Sequence, residues 1–445
     1  MGDVYSHAAC TIAATAAKNG DQGLFFRRDP WLLRPRRLTA TWDPETYQND
    51  KEKLNYPPPG EYWCDHDNFW MTSVEYAPLN KRGWVFQERH LSQRIMHFAA
   101  NQLFWECHQC KASENYPNSL PPWAFSLDFG SGRSDPTPLK TQVHRLRYRK
   151  RYNSIDPLDS FHSDAATNST NLNYEELDEL YNNWGQWREA YSRSAVTKDE
   201  DRLIAIQGIA QDVAQISDDQ LVVGMWRNRI LDDLCFRCIL DIDDLSPAAP
   251  FRAQRLRAPT WSWASKNQRI VLSEASRLRY RCAHLATLIS VDVATGKSGE
   301  LRWANLQIKC NLVHAKGTWG TFSALETLTS KLGDQTVSCI KGLMLVRTGV
   351  YLPCDDEDVE LDNMFVDKRD RCPDVYMLSI RRCPLENGEE GKEVLEEMVE
   401  VLLLAQRPVP EQSFERIGFF SMDGNGCRQL LAENEASESQ IITLV

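Results

Sequence analysis

Two C-x-x-C pairs concentrate the soft ligands of this chain, Cys107-His108-Gln109-Cys110 and Cys235-Phe236-Arg237-Cys238. A zinc centre needs about four such ligands converging, and Cys64, His66 and His97 are candidates to complete one. The first pair, however, ends an expected strand. The second lies on an expected amphipathic helix with no His nearby, and finger-type spacing of two C-x-x-C pairs is absent from the sequence. The pairs are therefore read as buried thiols acting as small hydrophobes, and no metal is expected. The other chemical candidate is Arg82-Gly83-Trp84-Val85-Phe86-Gln87-Glu88. Trp84, Gln87 and Glu88 share one helical face by i, i+3, i+4 spacing. Glu88 falls near the helix C-terminus, where the helix dipole opposes a carboxylate. It needs a partner, such as Arg82, Arg89 or Arg94, or a function. The favoured reading is an Arg–Glu pair pinning the helix to a sheet, with Glu88 kept as a candidate acid–base group.

Other motifs contribute less. The basic cluster from His144 to Arg151 suits phosphate contact or a localisation signal, but is read as a solvated tract. The sequence holds no G-x-x-x-x-G-K-[ST], no G-x-G-x-x-G, no G-x-S-x-G elbow and no H-E-x-x-H.

The elements that must position these residues follow from periodicity and turn chemistry. Asn80 is the expected N-cap of a helix running through Arg89. Arg94 to Phe98 and Gln102 to Cys107 read as a hairpin across Ala99-Ala100-Asn101. Upstream, Val4 to Ala9 read as a helix end running into a buried strand over Cys10–Ala14. Residues 29–62 form a long proline-rich connection, and 128–173 a mobile polar linker. Leu177, Leu180, Trp184, Trp187 and Tyr191 recur at helical spacing. A second helix carries Leu203, Ile206 and Ile209 behind a Thr197/Glu200 capping box, and a third is expected over Gly224–Leu240. Beyond Pro259 the stretches Leu301–Leu312, Gly342–Val346, Val399–Ala405 and Glu415–Phe420 read as strands. The domains expected are 1–127, a linker over 128–173, a helical region over 174–240 and a β-rich region over 241–445.

Composition bounds the function. With 445 residues, 42% hydrophobic, the chain can bury sizeable cores. A net charge of -11 argues against nucleic acid or anionic membrane held by bulk charge. No apolar run reaches the roughly 18 residues of a membrane span, and the N-terminus lacks the basic region of a signal peptide. Thirteen cysteines spread over the chain give no compact disulfide framework. A cytoplasmic protein is expected. Of fourteen tryptophans, Trp84, Trp105, Trp187, Trp226, Trp261 and Trp263 are expected to be packing anchors where helices dock on sheets.

In order and spacing the chain resembles fungal heterokaryon-incompatibility (HET) domain proteins. Arg82-Gly83-Trp84-Val85-Phe86-Gln87-Glu88-Arg89, Leu91-Ser92-x-Arg94, Phe104-Trp105-Glu106-Cys107 and Glu114 resemble that family's third conserved block. Thr11-Ile12-x-Ala14 and Gly23-Leu24-Phe25-x-Arg27 resemble the stretch after its second. Asp201-Arg202-Leu203, Gly224-Met225-Trp226 and Ala258-Pro259-Thr260-Trp261-Ser262-Trp263 are similar to regions that follow the domain. The earlier blocks, around Leu-Ser-Tyr-x-Trp-Gly and Trp-Ile-Asp-x-x-Cys-Ile-x-Gln, are missing, so a HET domain lacking its N-terminal part is expected. The resemblance implies an α+β protein: a partial α/β, TIR-like HET domain, then a helical block and a mostly antiparallel β region. It implies nonself recognition between hyphae and programmed cell death, with other proteins of the incompatibility system as partners. Some TIR-like domains cleave NAD. With the strands that would build such a pocket expected in the missing part, no enzymatic activity and no cofactor are expected of this chain, the alternative being an NAD-cleaving effector from a longer product.

Overall fold

The computed structural model of the chain describes residues 2–29, 31, 33–41, 59–125, 137–153, 172–196, 198, 201–239, 258–266, 269–277, 282–296, 300–319, 335–340, 343–348, 360–361, 374–385, 396–408, 410 and 412–445. The chain divides into two compact units, residues 1–133 with 194–196, and residues 134–193 with 197–445. Together they give a mixed α+β protein: an N-terminal mixed sheet, a helical middle block and a mostly antiparallel C-terminal sheet.

The first unit opens with helix α1 (Gly2–His7) and strand β1 (Thr11–Ala13). A separate antiparallel pair, β2 (Arg36–Ala40) and β3 (Gly60–Cys64), follows. Helix α2 (Gly83–Leu91) then leads into β4 (Arg94–Phe98), β5 (Leu103–Cys107) and β6 (Lys111–Ser113). The sheet order is β1-β4-β5-β6, with β1 parallel to β4 and the other pairs antiparallel. The expected hairpin over 94–107 forms, with Phe98 opposite Leu103 and Arg94 opposite Cys107. Strand alternation divides its side chains. Ile95, His97, Phe104 and Glu106 are buried, while Trp105 and Cys107 take the other, half-exposed face. Under the buried face Phe69, Trp70, Met71, Val74, Ala99, Phe104, Leu120 and Ala124 form the core.

Two expectations for this unit are corrected. The opening strand is not buried: Ile12 is 63% exposed. Three residues at the end of the sheet order give it a neighbour on one side only among the described residues. Nor does Asn80 cap α2. It lies in a 3-10 turn (Leu79–Lys81), buried, and its Nδ2 donates to the Val74 carbonyl at 2.6 Å. The N-cap is Arg82, whose side chain makes no capping bond. The first amide of the helix is satisfied by backbone instead. Gly83 N–H donates to the Ala195 carbonyl at 2.9 Å, and Ala195 N–H to the Lys81 carbonyl at 2.8 Å, a parallel bridge between residues 82 and 195.

The second unit begins with α3 (Thr137–Asn153), inside the segment expected to be a mobile linker. A sparse stripe of Leu139, Val143 and Leu146 is buried along it, three apolar positions at helical spacing among strongly basic neighbours. Arg147 and Arg149 of the basic cluster are exposed, as a solvated tract implies, and are also paired: Arg149 binds both carboxylate oxygens of Glu176, and Arg147 binds Asp212. Next is α4 (Tyr174–Ser192), opened by a complete Asn173/Glu176 capping box. Its expected aromatic stripe is a core: Leu180, Trp184, Trp187 and Tyr191 are buried. Helices α5 (Asp201–Ile204) and α6 (Gln207–Ser217) follow. The Thr197/Glu200 capping box lies outside the described residues.

The third helix expected over 224–240 does not form. The chain instead makes a hairpin of β7 (Leu221–Val222) and β8 (Met225–Trp226), one helical turn α7 (Ile230–Asp233), and β9 (Phe236–Ile239). Gly224 has φ +87°, a conformation that suits the hairpin turn and ends any helix. Strand β9 pairs antiparallel with β10 (Arg269–Leu272), so Phe236 and Cys238 are set by strand alternation rather than helical spacing. Tryptophans close this core. Trp184 lies 5.2 Å from Trp187 and 5.1 Å from Trp226 between ring centroids, and the Trp263 indole donates to the Gly224 carbonyl at 2.9 Å. Trp187, Trp226, Trp261 and Trp263 are buried as expected of anchors; Trp84 and Trp105 are only half-buried.

Beyond the β9–β10 pair come a short helix, α8 (Glu274–Arg277), and a ten-stranded sheet. Its strands are β11 (Ala283–His284), β12 (Thr287–Thr295), β13 (Leu301–Trp319), β14 (Gln335–Ile340), β15 (Leu343–Thr348), β16 (Glu360–Leu361), β17 (Asp374–Leu385), β18 (Glu396–Gln406), β19 (Ser413–Met422) and β20 (Ser439–Leu444). The four strands read from sequence are found here in β13, β15, β18 and β19. The long β13 pairs with both β17 and β20, closing a ring through β18 and β19 in which only β19–β20 is parallel. Helix α9 (Gly424–Ala436) packs Cys427, Leu430 and Leu431 onto Val375, Met377, Val401 and Leu403. A disulfide, Cys282–Cys383, ties the segment before β11 to β17.

Candidate functional site

The candidate residues of the first unit are organised by Arg89 on α2. Its Nη1 and Nη2 bind the two oxygens of Glu75 at 2.7 Å each, and its Nε binds Glu106 at 2.8 Å. Glu75 ends a single π-type turn (Met71–Glu75), where Tyr76 N–H reaches back to the Met71 carbonyl. Glu106 sits on the buried face of β5. An arginine fork of this kind matches carboxylates bidentately. It is why a helix bearing Arg89 locks to both the turn and the sheet. The Trp70 indole donates to Glu75 at 2.7 Å, and Lys111 Nζ lies 4.7 Å from the same ring's centroid.

The chain of contacts continues through the hairpin. His97 Nε2 lies 3.3 Å from Glu106 and its Nδ1 3.0 Å from the Thr15 hydroxyl. Burial pushes the His97 ring below its ordinary range, and the Glu106 carboxylate only partly offsets this. Burial would raise Glu75 too, but there the Arg89 charge and hydrogen bonds win, and its carboxyl is held below the usual range. Hydroxyl, imidazole and carboxylate in that order are the parts of a nucleophile triad. Here Thr15 is fully buried and its hydroxyl also reaches the Ala13 carbonyl, which makes the array a brace.

The Arg–Glu pair expected of Glu88 is not the one that forms: Arg89 binds Glu75 and Glu106, and Glu88 turns to Tyr5. Burial and then the Glu88 charge and hydrogen bond push the Tyr5 hydroxyl up to about 12. Arg94 is exposed and donates to the Ala9 carbonyl at 3.4 Å. Arg82 is exposed at the helix entrance; Gly83 and Gln87 are buried and Trp84 half-buried. Cys107 and Cys110, expected to be buried, are partly exposed, whereas Cys235 and Cys238 are buried. Among the described residues no three or more His, Cys, Asp or Glu side chains converge to hold a metal ion. Glu75 was missed by sequence reading; its signal, a lone acid five residues after Trp70, is weak.

A second site, in the second unit, was also missed. A cleft of about 660 Å³ is lined by Asp178, Arg188, Arg229, Asp232, His284 and Arg381 among others. Arg381 and His284 bind Asp232 at 2.7 and 3.1 Å, and Arg229 binds Asp178 at 2.7 Å. Burial would raise Asp232, but His284, Arg381 and Arg229 hold it down to about 2. Beside it burial raises Asp233, and Arg188, 3.0 Å away, only partly counters that. The partners come from positions 178, 284 and 381, too far apart in sequence to signal one another.

Among known families, residues 1–88 match the family model described as Heterokaryon incompatibility protein (HET). The chain therefore carries a HET domain at those residues, 88 of its 445. The match takes in Arg82, Gly83, Trp84, Gln87 and Glu88 and ends before Arg94, Trp105, Glu106 and Cys107. No curated protein and no solved structure matches the chain. No helix among the described residues is long and apolar enough to cross a membrane.

Proposed function

We propose that this chain is a regulatory or interaction component of fungal nonself recognition leading to programmed cell death, acting in the cytoplasm through other proteins of that system and not by turnover. The observation that carries this reading is the Glu75–Arg89–Glu106 cluster. The buried acids of the HET-bearing unit are committed to one arginine, and Glu88 is held against Tyr5. Acid–base work needs a carboxylate free to meet a substrate proton, and these are spent on fixing α2. The test is incubation of the full chain with NAD and analysis for released nicotinamide. Absence of turnover is expected; clear turnover that disappears in Glu88→Gln overturns the reading. The HET match leaves a second reading, a TIR-like NAD-cleaving effector made by a longer product. An open frame upstream of Met1 encoding the two absent blocks, with NAD turnover by that product, would carry it.

A further inference from the structure

The β5–β6 turn brings two thiols together at a place no function above uses. Cys107 N–H donates to the Cys110 carbonyl at 3.0 Å, so residues 107–110 form a closed turn at the hairpin end. The two sulfurs lie 3.8 Å apart and both cysteines are partly exposed. The ends of such a four-residue turn are within about 7 Å, inside the span a disulfide bridges without backbone movement.

The sulfur of Cys107 is built differently from that of Cys110. It accepts the Cys110 amide at 3.4 Å, and the backbone at Gln109 and the Trp105 side chain add to the stabilisation of its anion. Trp105 reaches it because residues two apart on a strand share a face, and an indole can only donate. Burial pushes the Cys107 thiol up, but these donors outweigh it and hold it below its ordinary range. Cys110 has no such cradle: burial, then the neighbouring Cys107 sulfur, pushes it up. One sulfur is prepared as a nucleophile and the other waits beside it as a protonated thiol.

We propose that Cys107 and Cys110 are a redox-active dithiol that a low-molecular-weight disulfide oxidises to an intramolecular bond, Cys107 attacking and Cys110 resolving. In the first step the Cys107 thiolate displaces one thiolate from R–S–S–R, forming a mixed disulfide. In the second, Cys110 gives its proton to the departing thiolate and its sulfur attacks Cys107, releasing the second R–S. Two protein thiols are oxidised and one disulfide is reduced to two thiols. The inference is independent of the function proposed above. It also gives the Phe104-Trp105-Glu106-Cys107 run a division of labour: Glu106 braces from the buried face, and Trp105 with Cys107 works on the other.

Alkylation of the full chain by iodoacetamide at pH 7, mapped by mass spectrometry, tests the cradle without any variant. The exposed Cys10 and Cys64 are internal controls. Cys107 is expected to react faster than either, as a thiol held below its ordinary range does at this pH. Equal or slower reaction overturns the proposal. Oxidised glutathione is the probe for the second half. Wild type is expected to end with the 107–110 bond and Cys110→Ser with a glutathione adduct on Cys107. Trp105→Phe is expected to slow Cys107 alkylation toward the control rate. A lasting mixed disulfide in the wild type, or adducts first on Cys10 or Cys64, overturns it.

Discussion

Arg89 in the first unit and Arg416 in the second are both largely buried and are held differently, although Arg188 and Arg381 of the second unit are ion-paired as Arg89 is. In the first, Arg89 stands between two carboxylates and shares one of them, Glu106, with an imidazole. In the second, the fully buried Arg416 donates its fork to the carbonyls of Leu234 and Phe236 at 2.6 Å each and lies 3.6 Å from the centroid of the Phe236 ring. One guanidinium neutralises charge; the other caps a backbone. An ion cluster holds its elements only while every member is present, because each partner left behind is a buried charge. A guanidinium on carbonyls leaves neutral groups when it goes, and these cost less.

The largest effect should come from breaking the cluster. Arg89→Met strands Glu75 and Glu106, and about 3–5 kcal/mol of stability is expected to be lost, read from the denaturant midpoint of the full chain. An unchanged midpoint would mean the cluster does not hold α2. Next is Gly224→Ala in the second unit. Its Cβ would lie 2.6 Å from Trp263 Nε1 at a backbone angle of +87°, and overpacking of this sort costs about 1–3 kcal/mol. Hydrogen exchange read on peptides of each unit should confine the loosening to the tryptophan core. Exchange that rises equally in both units would contradict this.

Acid should then separate the units by sign. His97 is held below 6.5 in the folded state, so the unfolded chain binds the extra proton. Its contribution is full above about pH 6.5 and is lost as pH falls. Asp212 is raised by burial to about 6 from 3.8, so the folded chain binds the extra proton there. The second unit should lose stability as pH rises from about 4 to 6. Each slope approaches about 1.4 kcal/mol per pH unit at most. His97→Gln and Asp212→Asn should flatten one slope each, and a variant that flattens neither or both would refute the assignment. The smallest effect belongs to Arg149→Ala. Its pair with Glu176 is largely exposed, and a loss within about 1 kcal/mol is expected by thermal melting.

What the sequence told, it told through local pattern. The 94–107 hairpin, the Leu180–Tyr191 stripe and the strands after residue 300 each declare themselves within a dozen residues. The pin between α2 and the sheet was read onto the wrong acid: the helix-end carboxylate of Glu88, beside three arginines, was expected to make it and turns to Tyr5 instead. Glu88 and Glu106 both lie within reach by sequence, and only strand alternation with the register of Arg94 against Cys107 puts Glu106 inward. The linker failed for a different reason. Arg147 and Arg149 find Asp212 and Glu176, acids 65 and 27 residues away, and a charge run shows nothing of distant counter-charges. The Cys282–Cys383 bond, 101 residues apart, is hidden in the same way.

The bridge at Ala195 puts a delay into the making of this protein. Helix α2 carries the match's last residues, yet its first amide and the carbonyl of Lys81 await a partner about 110 residues further on. At about 5–20 residues per second, a ribosome supplies that partner roughly 5–20 s after the helix itself has emerged. Until then the HET-bearing unit is unfinished, and a fragment ending at residue 133 would stay so.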